Sequence, residues 1–361
     1  MLGQKGIPAT YGGIERHVEE LATRLVERGH EVTVYCRPYY TKVAGDYRGV
    51  KLQSIPSIRT KHLDTASHCA MAMPHIMSQG YDIVHFHALG PSLFSKLPRH
   101  RGMKTLVTVH GLDWQREKWG KFATWVLKRG EYTSVYYPDR TLVVSKALRE
   151  YFWSRYDYSA TYIPNGTVLP HVREPDKIRE LGLDPGNYVL FVGRLVPEKG
   201  CHYLLDAYRK LNTDMELVIA GGTSFSSEYV DQLHELGGDR ARFLGYVYGD
   251  VLDELYSNAR IFVLPSDLEG LPIALLEAMS FGNCCLTSDI AENLEVVGDC
   301  GVTFKQSDVN DLAGHLQELI DDPDRCKSLG ERARRHVLQT YDWDGVTLHT
   351  EAIYYSLIRG F

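Results

Sequence analysis

A chain of 361 residues is longer than a single hydrophobic core usually serves, so two domains are expected. Its 44% apolar and 24% charged content is that of a globular protein, and no uninterrupted apolar run reaches the roughly 20 residues that a membrane-spanning helix needs. The net charge of −6 conceals an asymmetry: residues 1–170 carry 23 Lys and Arg against 14 Asp and Glu, whereas residues 171–361 carry 17 against 32.

The balance is therefore +9 in the first half and −15 in the second, and the two halves are expected to meet different partners. A basic half suits an anionic surface or acceptor; without a recognisable nucleic-acid-binding motif, nucleic acid is not expected as a partner. Seven cysteines, with Cys284 and Cys285 adjacent, form no Cys-x-x-Cys and no metal-ligand spacing with histidine. Together with the lack of a secretory signal, they predict reduced core thiols in a cytoplasmic protein.

In chain order, only Met1 and Leu2 precede Gly3, and "GIPATYGGIE" then leads into an amphipathic helix marked by Ile14, Val18, Leu21, Ala22 and Leu25. Gly12 and Gly13 would let backbone N–H groups and the helix N-terminus approach a phosphate, although a tight turn alone explains them too. Strand-like runs follow at Glu31 to Cys36, Val50 to Ile55, Ile83 to Phe86, Thr105 to Val109 and Thr141 to Val144. His85 and His87 alternate along one of these strands and are read as structural, one of them facing the core. A zinc site is not expected there, because no third ligand declares itself.

The stretch 114–130 interleaves Trp114, Trp119, Phe122 and Trp125 with Arg116, Lys118, Lys121, Lys128 and Arg129. Aromatics and cations on one segment suit an anionic membrane interface, so a peripheral position at the inner face of the plasma membrane is expected; ordinary helix packing is the alternative. The segment from Pro164 to Pro175, with three prolines and a glycine, reads as the linker.

Beyond it, strands are expected at Tyr188 to Val192, Glu216 to Ala220, Arg242 to Leu244, Ile261 to Pro265 and Cys284 to Thr287, and closing helices near 308–321, 324–339 and 344–358. Strands alternating with helices throughout predict an α/β protein of two doubly wound parallel sheets, which bind ligands beyond the carboxyl ends of their strands. "FVGRLVPEKG", residues 191–200, places Arg194 and Lys199 at such a strand end, where a fork of donors and a point charge suit a diphosphate. Solvated surface charge is the plainer reading of the same loop.

"LEGLPIALLEAMSFG", residues 268–282, poses a sharper problem. Leu275, Leu276, Ala278, Met279 and Phe281 make this helix apolar on nearly every side, so a carboxylate at Glu277 needs polar hydrogens waiting for it. Glu269 precedes the helix, and Glu277 lies roughly 9 Å further along its axis, a span like that from a ribose to a sugar joined through a diphosphate. Carboxylates accept from vicinal hydroxyls, so Glu277 could hold the ribose and Glu269 the sugar.

The spacing of Glu269 and Glu277 in "EGLPIALLEAMSFG", the loop of Gly193-Arg194 and Lys199-Gly200, and the Gly12-Gly13 turn together resemble the family 4 retaining glycosyltransferases of the GT-B fold. "HGLDWQREKWG" and "IPNGT" resemble its bacterial polysaccharide-assembly branch. The resemblance implies a nucleotide-sugar donor, a saccharide or lipid-linked acceptor, and transfer with retention that needs no metal and no cofactor. By it, Arg194 and Lys199 neutralise the donor diphosphate, Glu277 binds ribose, Glu269 with Gly270 and Leu271 positions the sugar, and His110 reaches the donor sugar across a cleft. It further implies an acceptor-binding domain over 1–167, a donor-binding domain over 168–342, and a helix over 343–361 that crosses back to the first domain. Asp342-Trp343-Asp344 is read as a helix start. Members of the family open on a full strand, so the start at Met1 implies a truncated one. A nucleotide-sugar epimerase of the same architecture and a catalytically silent nucleotide-sugar-binding protein are the alternative functions.

Overall fold

The structure, a computed structural model, describes residues 1–116, 119–222 and 227–360. It forms two compact units, one built from Met1–Asn165 and the C-terminal helix Trp343–Arg359, the other from Gly166–Asp342.

In the first unit, β1 (Thr33–Cys36), β2 (Asp46–Tyr47) and β3 (Val50–Ser54) form one sheet in the order β1-β3-β2. A second sheet runs β4-β5-β6-β7, from Ile83–His87, Lys104–Val109, Arg140–Val143 and Thr161–Tyr162, with every pairing parallel. Met1 and Leu2 lie between the two. Leu2 N donates to His85 O at 2.9 Å, His87 N donates to Leu2 O at 2.8 Å, and on the other side Tyr35 N donates to Met1 O at 3.0 Å. Two residues thus bond to β1 and β4 at once, in the place of a central strand, and the Leu2 side chain is fully buried.

The turn after this stub feeds the helix Gly13–Glu27, whose buried face carries Val18, Leu21, Ala22 and Leu25 as the periodicity requires. This helix and the residues just after it receive the C-terminal helix: Arg24 pairs with Asp344 at 2.8 Å, Arg28 pairs with Glu351 at 2.6 Å, and His30 Nε2 lies 2.7 Å from Glu351 Oε1. Tyr354 of the same helix reaches His85 Nδ1 at 2.7 Å, while His85 Nε2 meets Thr108 Oγ1 at 2.7 Å. The expectation that only one of His85 and His87 faces the core is corrected here. Side chains two apart on a strand share a face, and both rings are buried and stacked with centroids 4.3 Å apart.

His68, on the helix Asp64–Ser78, is wholly buried, and burial first, then the nearby Arg37 charge, holds its imidazole down at about 4. In the unfolded chain it titrates near the ordinary 6.5. Below that pH the unfolded state binds a proton that the folded state refuses, so stability is lost as pH falls from about 6.5 towards 4 and is unaffected above. His68→Leu should therefore flatten the loss between pH 7 and pH 4 by about 3 kcal/mol, read from urea unfolding at each pH. An unchanged slope would show that His68 does not titrate in this way.

The second unit holds β8 (Tyr188–Val192), β9 (Glu216–Ala220), β10 (Ala241–Gly245), β11 (Ile261–Leu264), β12 (Cys284–Ser288) and β13 (Val302–Phe304). All are parallel, in the order β10-β9-β8-β11-β12-β13, the arrangement of a six-stranded dinucleotide-binding fold. Phe191, Ile219, Val263 and Leu286 from the sheet meet Leu204 and Leu316 from helices in one core. The helices Val309–Asp321 and Pro323–Thr340 start where Asp308 and Asp322 accept hydrogen bonds from the backbone N–H groups of their first turns. All seven cysteines are free and buried, as expected of core thiols.

Candidate active site

In the second unit the strand order reverses between β8 and β11, and a crevice outside the carboxyl ends of those two strands is where an open parallel sheet receives a ligand. The loop leaving β8 carries Arg194 and Lys199; the loop leaving β11 carries Ser266 and Glu269. Gly200 explains how the loops come so close. It holds φ +65°, and a Cβ there would lie 2.0 Å from Pro265 O, so only glycine lets the end of the Pro197–Lys199 turn rest on the chain leaving β11.

The close approach delivers Lys199 Nζ to Glu269 Oε1 at 2.5 Å, where the buried Ser266 hydroxyl also donates, at 2.8 Å. The Glu269 side chain is only 7% exposed and that of Lys199 17%, so this charge pair is largely screened from water. The two residues assigned to a diphosphate and a sugar thus touch each other in the described state.

The partner required for Glu277 is Tyr256. Pro272 is the N-cap of the helix Ile273–Phe281, one position before its first residue, and Glu277 is the half-buried fifth residue of that helix. Tyr256, from the helix Asp250–Asn258, donates its hydroxyl to Glu277 Oε2 at 3.3 Å. Burial, and after it the Glu277 charge, push the Tyr256 hydroxyl far above its usual value, so it remains a donor at any working pH. Sequence reasoning demanded such a group but did not find Tyr256, which lies 21 residues away on an element that packs beside the site only in three dimensions. Gly270 and Leu271 occupy the turn between Glu269 and the helix, with Leu271 buried.

In the first unit, Gly12 takes φ +106° and a Cβ there would lie 2.0 Å from Glu15 Oε2. That carboxylate accepts from Lys5 N at 2.9 Å, and the Tyr40 hydroxyl accepts from Thr10 N at 2.8 Å and Tyr11 N at 3.0 Å. An anion approaching Gly12 and Gly13 therefore shares the turn with Glu15.

His110 follows β5 directly and His87 ends β4; His87 Nδ1 and His110 Nε2 are 3.1 Å apart. His17, from the first helix, is the residue that sequence reasoning missed. Its ring centroid is 4.7 Å from that of His110, and its Nδ1 lies 2.9 Å from Asn165 Oδ1. Burial lowers all of these imidazoles, His17 to about 4 and His87 and His110 well below the ordinary value, so they are neutral near pH 7.

The segment 114–130 divides in two. Trp114 donates its indole N–H to the buried Glu131 at 2.5 Å and is structural. On the helix Lys121–Tyr136, Phe122 is 78% and Trp125 56% exposed, with Tyr132 and Tyr136 continuing that face and the Arg129 guanidinium 5.5 Å from the Trp125 ring. Lys118 lies outside the described residues. No helix among the described residues is long and apolar enough to cross a membrane. Asp344 opens the last helix and pairs with Arg24, as a helix-start residue would.

Two units built on mainly parallel sheets define a two-domain α/β protein, and solved structures of that architecture match it. Sucrose-phosphate synthase from Thermosynechococcus elongatus superposes with a TM-score of 0.82 at 22% identity, covering 97% of this chain and 94% of that one. HepE from Anabaena, solved with UDP and glucose, gives 0.80 at 17% identity with 98% of each chain covered. The fold is therefore GT-B. A protein of Methanocaldococcus jannaschii named as an uncharacterized glycosyltransferase is 28% identical over 96% of this chain and 95% of its own length. The family described as Glycosyltransferase Family 4 matches residues 11–169, and that described as Glycosyl transferases group 1 matches residues 173–336. The chain belongs to these family 4 type glycosyltransferases.

Proposed function

We propose that this glycosyltransferase moves a hexose or related sugar from a nucleoside-diphosphate sugar to a saccharide or lipid-linked acceptor, with retention and without a metal, in the assembly of cell-surface polysaccharide or glycoconjugate. The observation that carries the reading is the Lys199–Glu269 pair, braced by Ser266 where the strand order of the second unit reverses. Arg194 and Lys199 bind the diphosphate, Glu277 the ribose, Glu269 with Gly270 and Leu271 the sugar, and His110 touches the transferred sugar. Gly12 and Gly13 offer backbone N–H groups to the phosphates. The bond from the anomeric carbon to the phosphate oxygen breaks as the bond to the acceptor oxygen forms on the same face, and the acceptor proton passes to the leaving phosphate. Negative charge grows on the diphosphate, and fixed cations and backbone N–H groups stabilise it, the part a divalent ion would otherwise play. Family membership favours transfer over epimerisation.

A thermal-shift screen over nucleotide sugars tests this, with uridine diphosphate sugars first because the Anabaena HepE structure holds UDP. Saturating donor should raise Tm by about 5 °C or more, as expected for ligand near a hundred times its Kd. Donor incubated alone should release free nucleoside diphosphate slowly; an epimerised nucleotide sugar would overturn the transferase reading.

The basic first unit is taken to receive the acceptor, which is presented at an anionic membrane face. The exposed Phe122 and Trp125, with cations beside them, support this. The double variant Phe122→Ser/Trp125→Ser should lose at least about half of the wild-type recovery on anionic vesicles in sedimentation, since each buried aromatic supplies on the order of 2 kcal/mol. Equal recovery of wild type on neutral and anionic vesicles would contradict the membrane role.

A further inference from the structure

The helix Gly13–Glu27 buries three carboxylates in its N-terminal half, Glu15, Glu19 and Glu20. Two of them are used up inside the protein. Glu19 accepts from Ala9 N and from the Tyr47 hydroxyl, each at 2.8 Å, and Glu20 pairs with Arg16 at 3.1 Å and with Arg24. Glu15 is different. It is only 6% exposed, its Oε1 accepts from Lys5 N at 2.9 Å, and its Oε2 has no hydrogen-bond or ion-pair partner among the described residues. A carboxylate oxygen withdrawn from water and left without a donor is costly, so a ligand that brings one is expected.

The place of this oxygen says what the ligand is. Oε2 lies where a side chain at Gly12 would be, 2.0 Å from the position of a Cβ, and Gly12 is half-exposed, so the oxygen sits against the turn and not in the core. Other N–H groups of the turn are engaged: Ala9 N by Glu19, and Thr10 N and Tyr11 N by the Tyr40 hydroxyl, whose own proton goes to Tyr11 O at 2.8 Å. The turn follows the Met1–Leu2 stub, which stands between β1 and β4 where the strand order of this unit reverses and a doubly wound sheet takes its ligand. We propose that Glu15 Oε2 holds a hydroxyl of the acceptor, the one vicinal to the hydroxyl that attacks, so that the enzyme selects acceptors with a vicinal diol. The proposal rests on the reading above, in which this unit receives the acceptor and the Gly12–Gly13 turn meets the donor phosphates.

Charge separates the chemistries that could meet this oxygen. A phosphate is repelled by the carboxylate. A hard cation needs several oxygen ligands, and no metal-ligating cluster among the described residues includes Glu15. A neutral hydroxyl donates to it in a charge-assisted hydrogen bond. Attack from the face of the leaving phosphate puts the acceptor beside that phosphate, so the acceptor lies between the phosphates and Glu15 and keeps the two negative groups apart. The attacking hydroxyl gives its proton to the phosphate; its neighbour gives Glu15 a hydrogen bond, and no proton is transferred there. Until the acceptor arrives, the same repulsion works against the donor. Neutralising Glu15 should therefore affect the two substrates in opposite directions.

The test compares full-length wild type and Glu15→Gln with the donor selected by thermal shift. The acceptor probes are the methyl glycosides of mannose, rhamnose, glucose, galactose and N-acetylglucosamine, with their monodeoxy analogues. The Gln amide oxygen can still accept from Lys5 N, so the variant should fold like wild type. Its KM for the acceptor probe should rise about tenfold while its Kd for the donor stays the same or falls, whereas a merely structural loss weakens both. Removing the vicinal hydroxyl from the probe should cost wild type about tenfold in kcat/KM and Glu15→Gln less than about threefold, because the two losses are one interaction. Glu19→Gln, whose oxygens are engaged within the protein, should lower Tm and leave the acceptor KM as it is. Should Glu15→Gln fail to fold, the deoxy penalty of wild type decides alone. A wild type that turns the donor over but uses no probe with a vicinal diol, an acceptor KM indifferent to Glu15→Gln, or the absence of a deoxy penalty would overturn the assignment of Glu15. A wild type that neither binds nor turns over any donor would instead remove the transferase reading, and this proposal with it.

Discussion

Lys199→Met is expected to lower kcat/KM for transfer by roughly 10²–10³-fold, the usual cost of removing one fixed group that stabilises charge in a transition state. It should also lower stability. Lys199 and Ser266 both hold Glu269 Oε1, and with Lys199 gone a largely buried negative charge keeps the neutral Ser266 donor there. Breaking a fully buried pair costs more than an exposed one, and with the Lys199 side chain 17% exposed a loss of about 2–4 kcal/mol is expected. For a unit of this size that is about 5–10 °C in Tm. The double variant Lys199→Met/Glu269→Gln separates the two effects. Removing the stranded charge should recover most of the Tm and none of the activity. A double variant as unstable as the single one would show that the pair is not what holds the loops together, and retained activity in Lys199→Met would remove the cation from the diphosphate.

The second expected result concerns Glu277. Its carboxylate is assigned two vicinal ribose hydroxyls, and hydrogen bonds to a charged acceptor contribute about 1.5–3 kcal/mol each, so Glu277→Ala should weaken donor binding by roughly 10²–10⁴-fold. The same change strands the buried Tyr256 hydroxyl, at a cost of about 1–3 kcal/mol in stability. Glu277→Gln can still accept from Tyr256 through its amide oxygen, so it should fold like wild type while losing at least about tenfold in donor affinity. Isothermal titration with the donor and urea unfolding on both variants check the split. If Gln and Ala are equally unstable, Tyr256 is not anchored by this carboxylate.

Much of this architecture is legible in the sequence because buried parallel strands are short apolar runs bounded by turn residues, and they announce themselves locally. β8, β9, β11 and the helices capped by Asp308 and Asp322 lie within a residue or two of where those signals put them. The strands Asp46–Tyr47, Thr161–Tyr162 and Val302–Phe304 give no comparable signal, since two or three residues cannot display a period. Arg194, Lys199 and Glu269 are visible because each sits in a loop beyond a strand end marked by Gly or Pro, and Glu277 because it is a lone carboxylate in the middle of an apolar helix. Tyr256 and Ser266, which hold those side chains in place, are ordinary in their local context, and only the pairing of β8 with β11 and the packing of neighbouring helices reveals them.

His17 illustrates the limit most clearly. On the helix it is one polar residue beside Val18 and Leu21, and its partner Asn165 is 148 positions away. The reading of "HFH" as one ring in and one out failed for a simpler reason: a period of two puts the first and third residues on the same side, and two stacked buried imidazoles result.

The central claim is that acidic side chains around one helix start and cations from the adjoining loop grip an activated sugar in the second unit. It is tested most directly by calorimetric titration of wild type and the double variant Arg194→Met/Glu277→Gln with the nucleotide sugar that raises Tm most in the screen. The account predicts that the double variant keeps the wild-type Tm without ligand to within about 3 °C and loses at least about 100-fold in donor affinity. A folded double variant that binds the donor as tightly as wild type would contradict it.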